Sequence, residues 1–263
     1  MNLKDRVAIV TGAARGIGRG IAISLAQQGV HLALADITHT TELVQELAQT
    51  ASLAEVLGVR TLQLKCDVTQ MPQIQQMVAR TLAQFGQIDI LVNNAGVISV
   101  APVVDLTEEE WDRVLNVNLK GVFLCCKAVA PHMMERRSGR IVNIASVAGK
   151  RGSPRLAHYC ASKFGVVGLT QVLALELAPY DITVNAVCPG VIRTYMWTQV
   201  LSPGRADLLG VPAEQIFDET IRRTTPLGRE QTPEDVGQCV VYLCQADNVT
   251  GIAVNVAGGS EMR

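Results

Sequence analysis

A phenol and an ammonium group stand four residues apart in the segment Tyr159-Cys160-Ala161-Ser162-Lys163. Residues at this spacing lie on one face of a helix, so the side chains of Tyr159 and Lys163 are neighbours if the segment is helical. Tyrosine has an unperturbed pKa of about 10 and is a poor base at neutral pH, but a nearby cation favours the phenolate and lowers that pKa. The pair could take a proton from an alcohol or return one to a ketone.

The Tyr159–Lys163 spacing is a weak signal alone, because a surface tyrosine stacked beside a surface lysine has the same spacing. Ser146 strengthens it. The segment Asn143-Ile144-Ala145-Ser146 ends a predicted strand and brings a hydroxyl to that edge of the sheet, thirteen residues before Tyr159. A serine beyond a strand is usually only a turn former. Beside a candidate base it indicates a group that hydrogen-bonds a substrate oxygen.

A glycine-rich turn follows the first apolar run and reads Thr11-Gly12-Ala13-Ala14-Arg15-Gly16-Ile17-Gly18. Glycines allow a backbone to approach a pyrophosphate closely, and the free N–H groups at the start of a helix attract its charge. The spacing G-x-x-x-G-x-G differs from the commoner dinucleotide fingerprint, and such a turn can also serve tight packing alone. It is a moderate indication of a dinucleotide site.

Asp36 ends the second predicted strand, 18 residues after Gly18. A carboxylate there accepts hydrogen bonds from the hydroxyls of an adenosine ribose and repels the 2′-phosphate of NADP, so Asp36 favours NAD. Arg15 instead favours NADP, because a cation in the glycine loop could attract that phosphate. Asp36 could also be a helix cap or a turn residue. Together with the loop, Asp36 predicts contact with the cofactor.

Two further strand ends carry small or polar groups. Cys66-Asp67-Val68-Thr69 closes the third predicted strand, and Val92-Asn93-Asn94-Ala95-Gly96 closes the fourth. Ligands of open α/β sheets lie outside the carboxyl ends of the strands, where both of these turns are expected. Each could be ordinary turn chemistry. Four consecutive strand ends of this kind predict one extended site.

Short β-branched runs alternate with longer amphipathic stretches along the whole chain. This alternation predicts a single α/β domain over residues 1–263, with a doubly wound parallel sheet of about seven strands and helices on both faces. The predicted strands are Val7–Val10, Leu32–Ala35, Thr61–Cys66, Ile88–Val92, Arg140–Ile144, Thr183–Val187 and Ala253–Val256. The predicted helices include Gly16–Gln28, Thr41–Leu57, Pro72–Phe85, Glu108–Met134 and Ala157–Ala178.

The composition excludes several classes of function. Hydrophobic residues make up 48% and charged residues 18% of the 263 residues, which permits a large core and disfavours disorder. A net charge of −1 with no basic run disfavours nucleic acid and anionic membranes as partners. We find no signal peptide and no apolar stretch near membrane-spanning length. Seven scattered cysteines fit a reducing cytoplasm and predict no metal site.

Taken in this order and spacing, the motifs make the sequence resemble the short-chain dehydrogenase/reductase family over nearly its whole length. The matching segments are TGAARGIG at 11–18, Asp36, CDVT at 66–69, NNAG at 93–96, Asn118, Ser146, YCASK at 159–163, Pro189-Gly190 and Thr194. The resemblance implies a Rossmann-type fold. It also implies hydride transfer between a nicotinamide cofactor, with NAD favoured over NADP by Asp36, and an alcohol/ketone pair.

The resemblance also implies a division of labour. Tyr159 is expected to be the general acid/base, Ser146 to hydrogen-bond the substrate oxygen, and Lys163 to lower the tyrosine pKa and hold the nicotinamide ribose. Asn118 is expected to fix a water that links Lys163 to solvent, although an asparagine inside a helix can instead bond its own backbone. The expected cofactor contacts are Gly12, Arg15, Gly16, Ile17, Gly18, Asp36, Asp67, Val68, Asn94, Ala95, Gly96, Tyr159, Lys163, Pro189, Gly190, Ile192 and Thr194.

The weakly patterned stretch from about residue 191 to residue 227, here called the 191–227 excursion, follows a strand that points at the cofactor site. We expect this stretch to be a lid over the site, as such stretches often are, although it could also be an ordinary surface insertion. Met196 and Trp197 within it could line a substrate wall or simply pack the excursion onto the body. A Met-Trp pair here is similar to that of polyol and acetoin/butanediol dehydrogenases. We therefore expect a small polyol, sugar alcohol or hydroxyketone as substrate.

Two other functions stay open at this point. One is a 3-oxoacyl thioester reductase, which usually goes with NADPH and a basic surface that Asp36 and the balanced charge do not favour. The other is a non-catalytic protein that senses NAD, against which the intact Ser146, Tyr159 and Lys163 argue. Related enzymes pair their long helices, so we expect a homodimer or homotetramer. The stretch from Thr38 to Gly58 is longer than this family usually carries and has no functional explanation from the sequence.

Overall fold

The computed structural model describes residues 1–262, apart from the side chains of residues 207–209. Seven strands form one parallel sheet: β1 Val7–Thr11, β2 His31–Asp36, β3 Thr61–Lys65, β4 Ile90–Asn93, β5 Gly139–Ile144, β6 Ile182–Pro189 and β7 Ala253–Val256. Their order across the sheet is β3-β2-β1-β4-β5-β6-β7. All seven predicted strands are confirmed, with ends that differ from the prediction by at most two residues.

The connections between strands are helical. The α-helices are α1 Gly16–Ala26, α2 Thr41–Glu55, α3 Met71–Phe85, α4 Glu108–Leu115, α5 Gly121–Arg136, α6 Ala157–Leu177, α7 Ser202–Leu209, α8 Ala213–Thr224 and α9 Pro233–Gln245. Parallel strands need such crossovers, because a short turn cannot return the chain to the same end of the sheet. The helices cover both faces, as the doubly wound prediction requires.

Alternate residues of β1 show how the two faces are filled. Ala8 and Val10 belong to a buried cluster with Ile21 of α1 and Val240 of α9. Ile9, between them, belongs to a separate cluster on the opposite face that includes residues of α3, α5 and α6. Because every second side chain of a strand points to the same face, a strand buried on both sides must be apolar throughout, as β1 is.

Two helical predictions need correction, and one helix was not predicted. The single helix predicted over Glu108–Met134 is α4 and α5 joined by a π-helical turn at Asn116–Lys120. The 191–227 excursion, expected to be weakly patterned, contains a π-helical turn at Met196–Leu201 followed by α7 and α8. Helix α9 was not predicted, although its capping box between Thr232 and Asp235 is visible in the sequence.

Two helical stretches, Glu108–Arg136 and Ala157–Tyr180, are long and apolar enough to cross a membrane by length and composition. This corrects the expectation that no stretch approaches that length. The apolar window of the first is 50% buried inside the protein, and that of the second 39%. Their buried residues, such as Val129 and Val166, belong to the same core cluster as strand residues Leu91 and Val184. These are helices packed on a sheet, so their apolar composition is only weak evidence for a membrane span.

The strand order reverses beside β1, which pairs with β2 on one side and β4 on the other. The chain leaves β1 and β4 in opposite lateral directions, so the loops after these strands diverge and leave a crevice at the carboxyl edge of the sheet. The glycine turn follows β1, and Asn94 follows β4. The fold therefore brings the predicted site residues to one edge.

Candidate active site

The glycine turn is a tight main-chain cradle held by Asn94. The Asn94 side-chain amide donates to the carbonyl oxygens of Thr11 and Gly12, at 2.9 Å each. Gly12 has a φ of +64°, and a Cβ on Gly18 would overlap the Gly12 carbonyl oxygen. Both positions therefore require glycine. Within the described residues, no side chain caps the start of α1 at Gly16, so its free N–H groups are available to an anion.

Asp36 is the last residue of β2, as predicted. One carboxylate oxygen accepts a 2.9 Å hydrogen bond from the Ala14 N–H of the glycine turn, and the other accepts one from the Ile37 N–H at 2.8 Å. The carboxylate thus ties β2 to the turn, and it also lines the cavity described below. Oxygens fixed in this way suit the hydroxyls of a ribose and oppose a phosphate.

Arg15 is not left open for a 2′-phosphate. Its guanidinium lies 3.5 Å from the Glu46 carboxylate of α2. The guanidinium carbon is also 3.8 Å from the ring centroid of Tyr195, at the start of the 191–227 excursion. The sequence could not weigh Arg15 against Asp36, because Glu46 is 31 residues away along the chain. In the structure, the positive charge of Arg15 is already partnered.

Helix α2 supports the glycine turn from behind. Arg19 donates to the Ala14 carbonyl oxygen at 2.7 Å and to the Glu46 carbonyl oxygen at 3.2 Å. The Thr50 hydroxyl donates to the same Ala14 oxygen at 3.0 Å. The stretch from Thr38 to Gly58, unexplained from the sequence, therefore contains the helix that holds this turn in place.

The next two strand ends lie beside the glycine turn. Asp67 accepts hydrogen bonds from the N–H and hydroxyl of Thr69, at 2.9 and 2.8 Å, which fixes the turn after β3. Val68 is buried and packs against Gly121, where a Cβ would lie 2.8 Å from the valine side chain. Ala95 and Gly96 follow Asn94, and the Ala95 N–H donates to the Thr11 hydroxyl at 3.1 Å.

Tyr159 and Lys163 lie one turn apart on α6, and Ser146 follows β5. The Lys163 ammonium nitrogen is 5.7 Å from the centroid of the Tyr159 ring. Burial raises the pKa of Tyr159 to about 12, while a hydrogen bond from Ser146 and the positive charge of Arg205 act in the opposite direction. The three predicted groups are brought together, and the phenol is protonated at neutral pH.

The expectation that Lys163 lowers the Tyr159 pKa is not met in this structure. Lys163 is only 5% exposed, and burial lowers its own pKa to about 8. Its ammonium group donates to the Ile144 carbonyl oxygen at 2.8 Å. Burial is the main cause of both shifts, because a low dielectric disfavours phenolate and ammonium alike.

Asn118 lies in the π-helical turn and is fully buried. Its side-chain oxygen accepts from the Val97 N–H at 2.8 Å, and its amide donates to the Val97 carbonyl at 2.9 Å and the Ser162 hydroxyl at 3.2 Å. It therefore ties the loop after β4 to α6, rather than bonding its own helix. It is the one predicted site residue that does not line the cavity.

The turn after β6 closes the cofactor side of the site. Gly190 donates to the Val256 carbonyl oxygen at 2.9 Å, and Ile192 is buried and bridges to Gln231. The methyl carbon of Thr194 would lie 3.3 Å from a Cβ on Gly16, so the excursion begins against the glycine turn. Pro189, the last residue of β6, lines the same space.

Met196 and Trp197 do both of the things considered from the sequence. They line the cavity, and they pack with Ile98, Leu156 and other apolar residues in a cluster beside Tyr159. Trp197 also makes an edge-to-face contact with Phe217 of α8, with ring centroids 5.5 Å apart. This wall is apolar, in contrast to the hydrogen-bonded cradle around Gly12.

One cavity of about 770 Å³ joins these groups, which is within the usual range for a cofactor or ligand site. It extends from the glycine turn and Asp36 to Ser146, Tyr159 and Trp197. The uncapped start of α1 and the fixed Asp36 carboxylate suit a pyrophosphate and a ribose. The residues present therefore fit a nicotinamide dinucleotide, with its reactive ring expected at the Tyr159 end.

Several residues of the site were missed by sequence reasoning. They are Glu46 and Arg19 behind the glycine turn, and Ile98, Ser153 and Arg205 at the Tyr159 end of the cavity. Arg19 could have been suspected from its charge beside the glycine motif, whereas Glu46 is too far along the chain to be connected with it. Arg205 carries no motif, because its place depends on how the excursion packs against the segment before α6, where Ser153 accepts its hydrogen bond.

The seven-stranded doubly wound sheet, with a glycine turn at the switch point and a serine, tyrosine and lysine at its carboxyl edge, defines a dinucleotide-dependent oxidoreductase fold. Residues 6–203 match the family model described as short chain dehydrogenase. The chain belongs to the short-chain dehydrogenase/reductase family and is an oxidoreductase that acts on CH–OH groups.

Three relatives illustrate the range of the family. The 3-oxoacyl-[acyl-carrier-protein] reductase of Thermotoga maritima is 38% identical over 98% of this chain and 99% of its own. A crystal structure of NAD⁺-bound xylitol dehydrogenase superposes with a TM-score of 0.91 at 33% identity, covering 98% of this chain and 100% of that one. Actinorhodin polyketide ketoreductase with NADPH, carrying a Phe-to-Trp substitution, also gives 0.91, at 40% identity and 97% coverage of both chains.

Proposed function

We propose that this protein transfers a hydride reversibly between NAD and the secondary alcohol or ketone of a small polyol, sugar alcohol or hydroxyketone. The observation that carries the proposal is the single cavity with Asp36 at one end and Ser146 and Tyr159 at the other. The first position selects the cofactor, and the second moves the proton. A protein that only sensed NAD would have no use for a buried acid–base pair beside an apolar wall.

The nicotinamide supplies or accepts the hydride. The chain's own residues orient the substrate and handle the proton. Tyr159 donates its phenolic proton to the oxygen of a ketone being reduced, and its phenolate form takes the hydroxyl proton of an alcohol being oxidised. Ser146 hydrogen-bonds the same oxygen, which places the carbonyl carbon. Lys163 would hold the nicotinamide ribose, and Asn118 keeps the loop after β4 against α6 so that these groups stay aligned.

Asp36 supports NAD over NADP. Its carboxylate is fixed by Ala14 and Ile37, so it cannot easily turn away from a 2′-phosphate. Arg15 could have offset the repulsion, but it is engaged by Glu46 and Tyr195. Asp36 and Glu46 contribute two negative charges here, and Arg15 contributes one positive charge that is already paired. The charge at this end of the cavity is therefore negative. A ribose with free hydroxyls is favoured there over a phosphorylated one.

The NADPH-dependent 3-oxoacyl thioester reductase is the main alternative, and a relative of that name is 38% identical to this chain. The similarity does not decide between the two, because the xylitol dehydrogenase structure has nearly equal coverage. Asp36 and the net charge of −1 favour the NAD-dependent reading, since a carrier protein is acidic and needs a basic surface.

We also propose that the 191–227 excursion acts as a lid. It starts against Gly16, contacts Arg15 through Tyr195, and covers Tyr159 with Met196 and Trp197. A lid of this kind excludes water from the reacting carbon. Its contacts with both ends of the cavity would couple closure to cofactor binding.

A cytoplasmic homo-oligomer is part of the proposal. Large apolar side chains on α5 and α6 remain exposed, namely Phe123, Phe164, Val172 and Leu175. Leu175 is 79% exposed, which is costly for a leucine unless another subunit covers it. A homotetramer or homodimer through these helices would bury them. Sedimentation of the purified protein as a monomer would contradict this.

The test follows nicotinamide absorbance with the purified protein, offering NADH and NADPH in parallel against acetoin, keto-sugars and acetoacetyl thioesters. Reduction of a small hydroxyketone or keto-sugar with NADH, at a kcat/KM at least tenfold above that with NADPH, is the expected result. If the protein reduces only thioesters, and only with NADPH, it is a 3-oxoacyl thioester reductase instead. Binding of NADH without turnover of any carbonyl compound would leave only the sensing role.

A further inference from the structure

Four arginines line the cavity, and three of them are already neutralised by a carboxylate. The shortest ion-pair distances are 3.5 Å for Arg15 with Glu46, 2.9 Å for Arg113 with Glu110 and 3.7 Å for Arg151 with Glu261. Arg205 is different. Across the part of the chain that the structure describes, no acidic side chain pairs with it. It is the single arginine of the cavity wall whose charge is uncompensated.

Arg205 is held at the reacting end of the cavity. It lies on α7 of the 191–227 excursion, and its Nη2 donates to the Ser153 hydroxyl at 2.8 Å. The guanidinium carbon is 5.8 Å from the Trp197 ring centroid. Its Nε is buried and has no hydrogen-bond partner among the described residues. Neutral contacts thus fix the guanidinium in place and leave most of its donors unused.

The position of Arg205 is costly without an anion. A guanidinium stays charged in proteins, and a charged group taken out of water needs a partner of opposite charge. Arg205 is also near enough to Tyr159 for its charge to act on the phenol. An anionic group bound by Arg205 would therefore lie within a small molecule's length of the reacting carbonyl.

We propose that the natural substrate is a small hydroxy acid or keto acid, and that Arg205 binds its carboxylate while Ser146 and Tyr159 hold the alcohol or ketone oxygen. This rests on the hydride transfer of the proposed function and replaces its neutral substrates with ones that carry a carboxylate. One guanidinium with unused N–H donors matches the charge and geometry of a carboxylate, which carries a single negative charge on two oxygens. A phosphate dianion would call for a second cation beside Arg205, whereas Lys163, which also lines the cavity, is held on the Ile144 carbonyl oxygen.

The reaction leaves the carboxylate unchanged. In the oxidising direction, the C–H bond of the carbinol carbon breaks and its electron pair passes to the nicotinamide as hydride. The hydroxyl proton passes to the phenolate form of Tyr159, which has first released its own proton to solvent, and the C=O double bond forms. The products are a keto acid, reduced cofactor and one proton. Arg205 contributes by orienting the substrate, and its charge also offsets the anion beside the apolar wall.

The test compares keto acids with their own carboxamides, which have the same shape, one ketone and no charge. The pairs are pyruvate and pyruvamide, acetoacetate and acetoacetamide, and levulinate and levulinamide, so the distance from ketone to carboxylate is scanned. We expect kcat/KM for at least one acid to exceed that of its amide tenfold or more. Arg205→Met should lower the acid's kcat/KM at least tenfold more than the amide's.

Arg155→Met is the matched control. Arg155 also contacts the excursion, donating to the Gly204 carbonyl oxygen at 3.4 Å, but it does not line the cavity. This variant should keep the preference for the acid. Arg205→Lys keeps the charge without the planar fork, and we expect an intermediate loss. If circular dichroism and NADH binding show that Arg205→Met does not fold, Arg205→Lys replaces it in the comparison of acids with amides.

The outcomes separate this inference from the proposed function. A wild-type acid-to-amide ratio near one, with neutral hydroxyketones reduced well, overturns the inference and leaves the proposed function standing. An acid preference that survives in both Arg205 variants overturns the role of Arg205. Failure to reduce any charged or neutral ketone, despite NADH binding, overturns the proposed function and the inference with it.

Discussion

The two ends of the cavity are built on different physical principles. Around Gly12 and Asp36 the main chain is held by side-chain hydrogen bonds from Asn94, Arg19 and the Asp36 carboxylate. Around Trp197 the wall is apolar side chain, with one unpaired guanidinium from Arg205. The first end fits one chemical group that does not vary. The second end can be changed residue by residue without disturbing the sheet.

This difference explains why relatives of similar fold have different substrates. The cofactor end depends on the sheet edge and the start of α1, so its residues are constrained by backbone geometry. The substrate end depends on α7, α8 and the turns before them, which contact the sheet little. A change at the first end should therefore alter cofactor binding, whereas a change at the second should alter which substrate reacts.

The largest effect is expected from Tyr159→Phe. Removing the phenolic oxygen takes away the group that exchanges the proton, and general acid–base catalysis contributes roughly 10²–10⁴-fold to rates. We expect kcat to fall by about that factor, while the dissociation constant of NADH, measured by fluorescence, changes by less than about threefold. Tyr242→Phe, at an exposed tyrosine of α9, is the control. An unchanged rate in Tyr159→Phe would contradict the catalytic assignment.

The second prediction concerns pH. Burial raises the pKa of Tyr159 to about 12. At pH values below the pKa, the fraction of phenolate therefore rises about tenfold for each unit by which the pH is raised. Alcohol oxidation needs the phenolate and should become faster from pH 6 to pH 9, whereas ketone reduction needs the phenol and should not. Ser146→Ala removes a hydrogen bond that lowers this pKa, and should move the oxidation profile to higher pH. Oxidation that is independent of pH between 6 and 8 would show an already ionised base.

The sequence was most informative where one residue type is required by the backbone. Gly12 and Gly18 were recognisable because no other residue fits the turn, and Asp36 because it ends a strand at a fixed distance from them. The seven strands were recognisable because buried parallel strands are apolar throughout.

The rest of the site depends on tertiary contacts that spacing does not encode. Glu46 meets Arg15 only because α2 packs behind the glycine turn, and Arg205 reaches the cavity only because α7 packs against the segment before α6. The π-helical turn that places Asn118 leaves no periodic signal either. Even the Tyr159 pKa is raised mainly by burial, which the spacing between Tyr159 and Lys163 does not reveal.

Exchange of Asp36 tests the cofactor end with a smaller expected effect. Asp36→Asn keeps an acceptor for the Ala14 N–H and removes the charge that opposes a 2′-phosphate. A like-charge interaction of about 1.4 kcal/mol corresponds to a tenfold ratio, so we expect the NAD-to-NADP preference in kcat/KM to fall about tenfold. Asp67→Asn is the control, because its carboxylate fixes the turn at Thr69 and should affect both cofactors alike. Equal changes in both variants would mean that Asp36 acts only through the loop.

The smallest effect tests the contact that joins the two ends. The Arg15 guanidinium lies over the ring of Tyr195, which is 52% exposed, and such exposed cation–π contacts contribute about 0.5–1 kcal/mol. Tyr195→Leu should therefore raise the KM for NADH about two- to fivefold, whereas Tyr195→Phe keeps the ring and should change it little. If both variants behave alike, the ring does not hold the excursion to the glycine turn. If only Tyr195→Leu weakens NADH binding, closure over the substrate end depends on a residue of the cofactor end, and the two ends are coupled through Arg15.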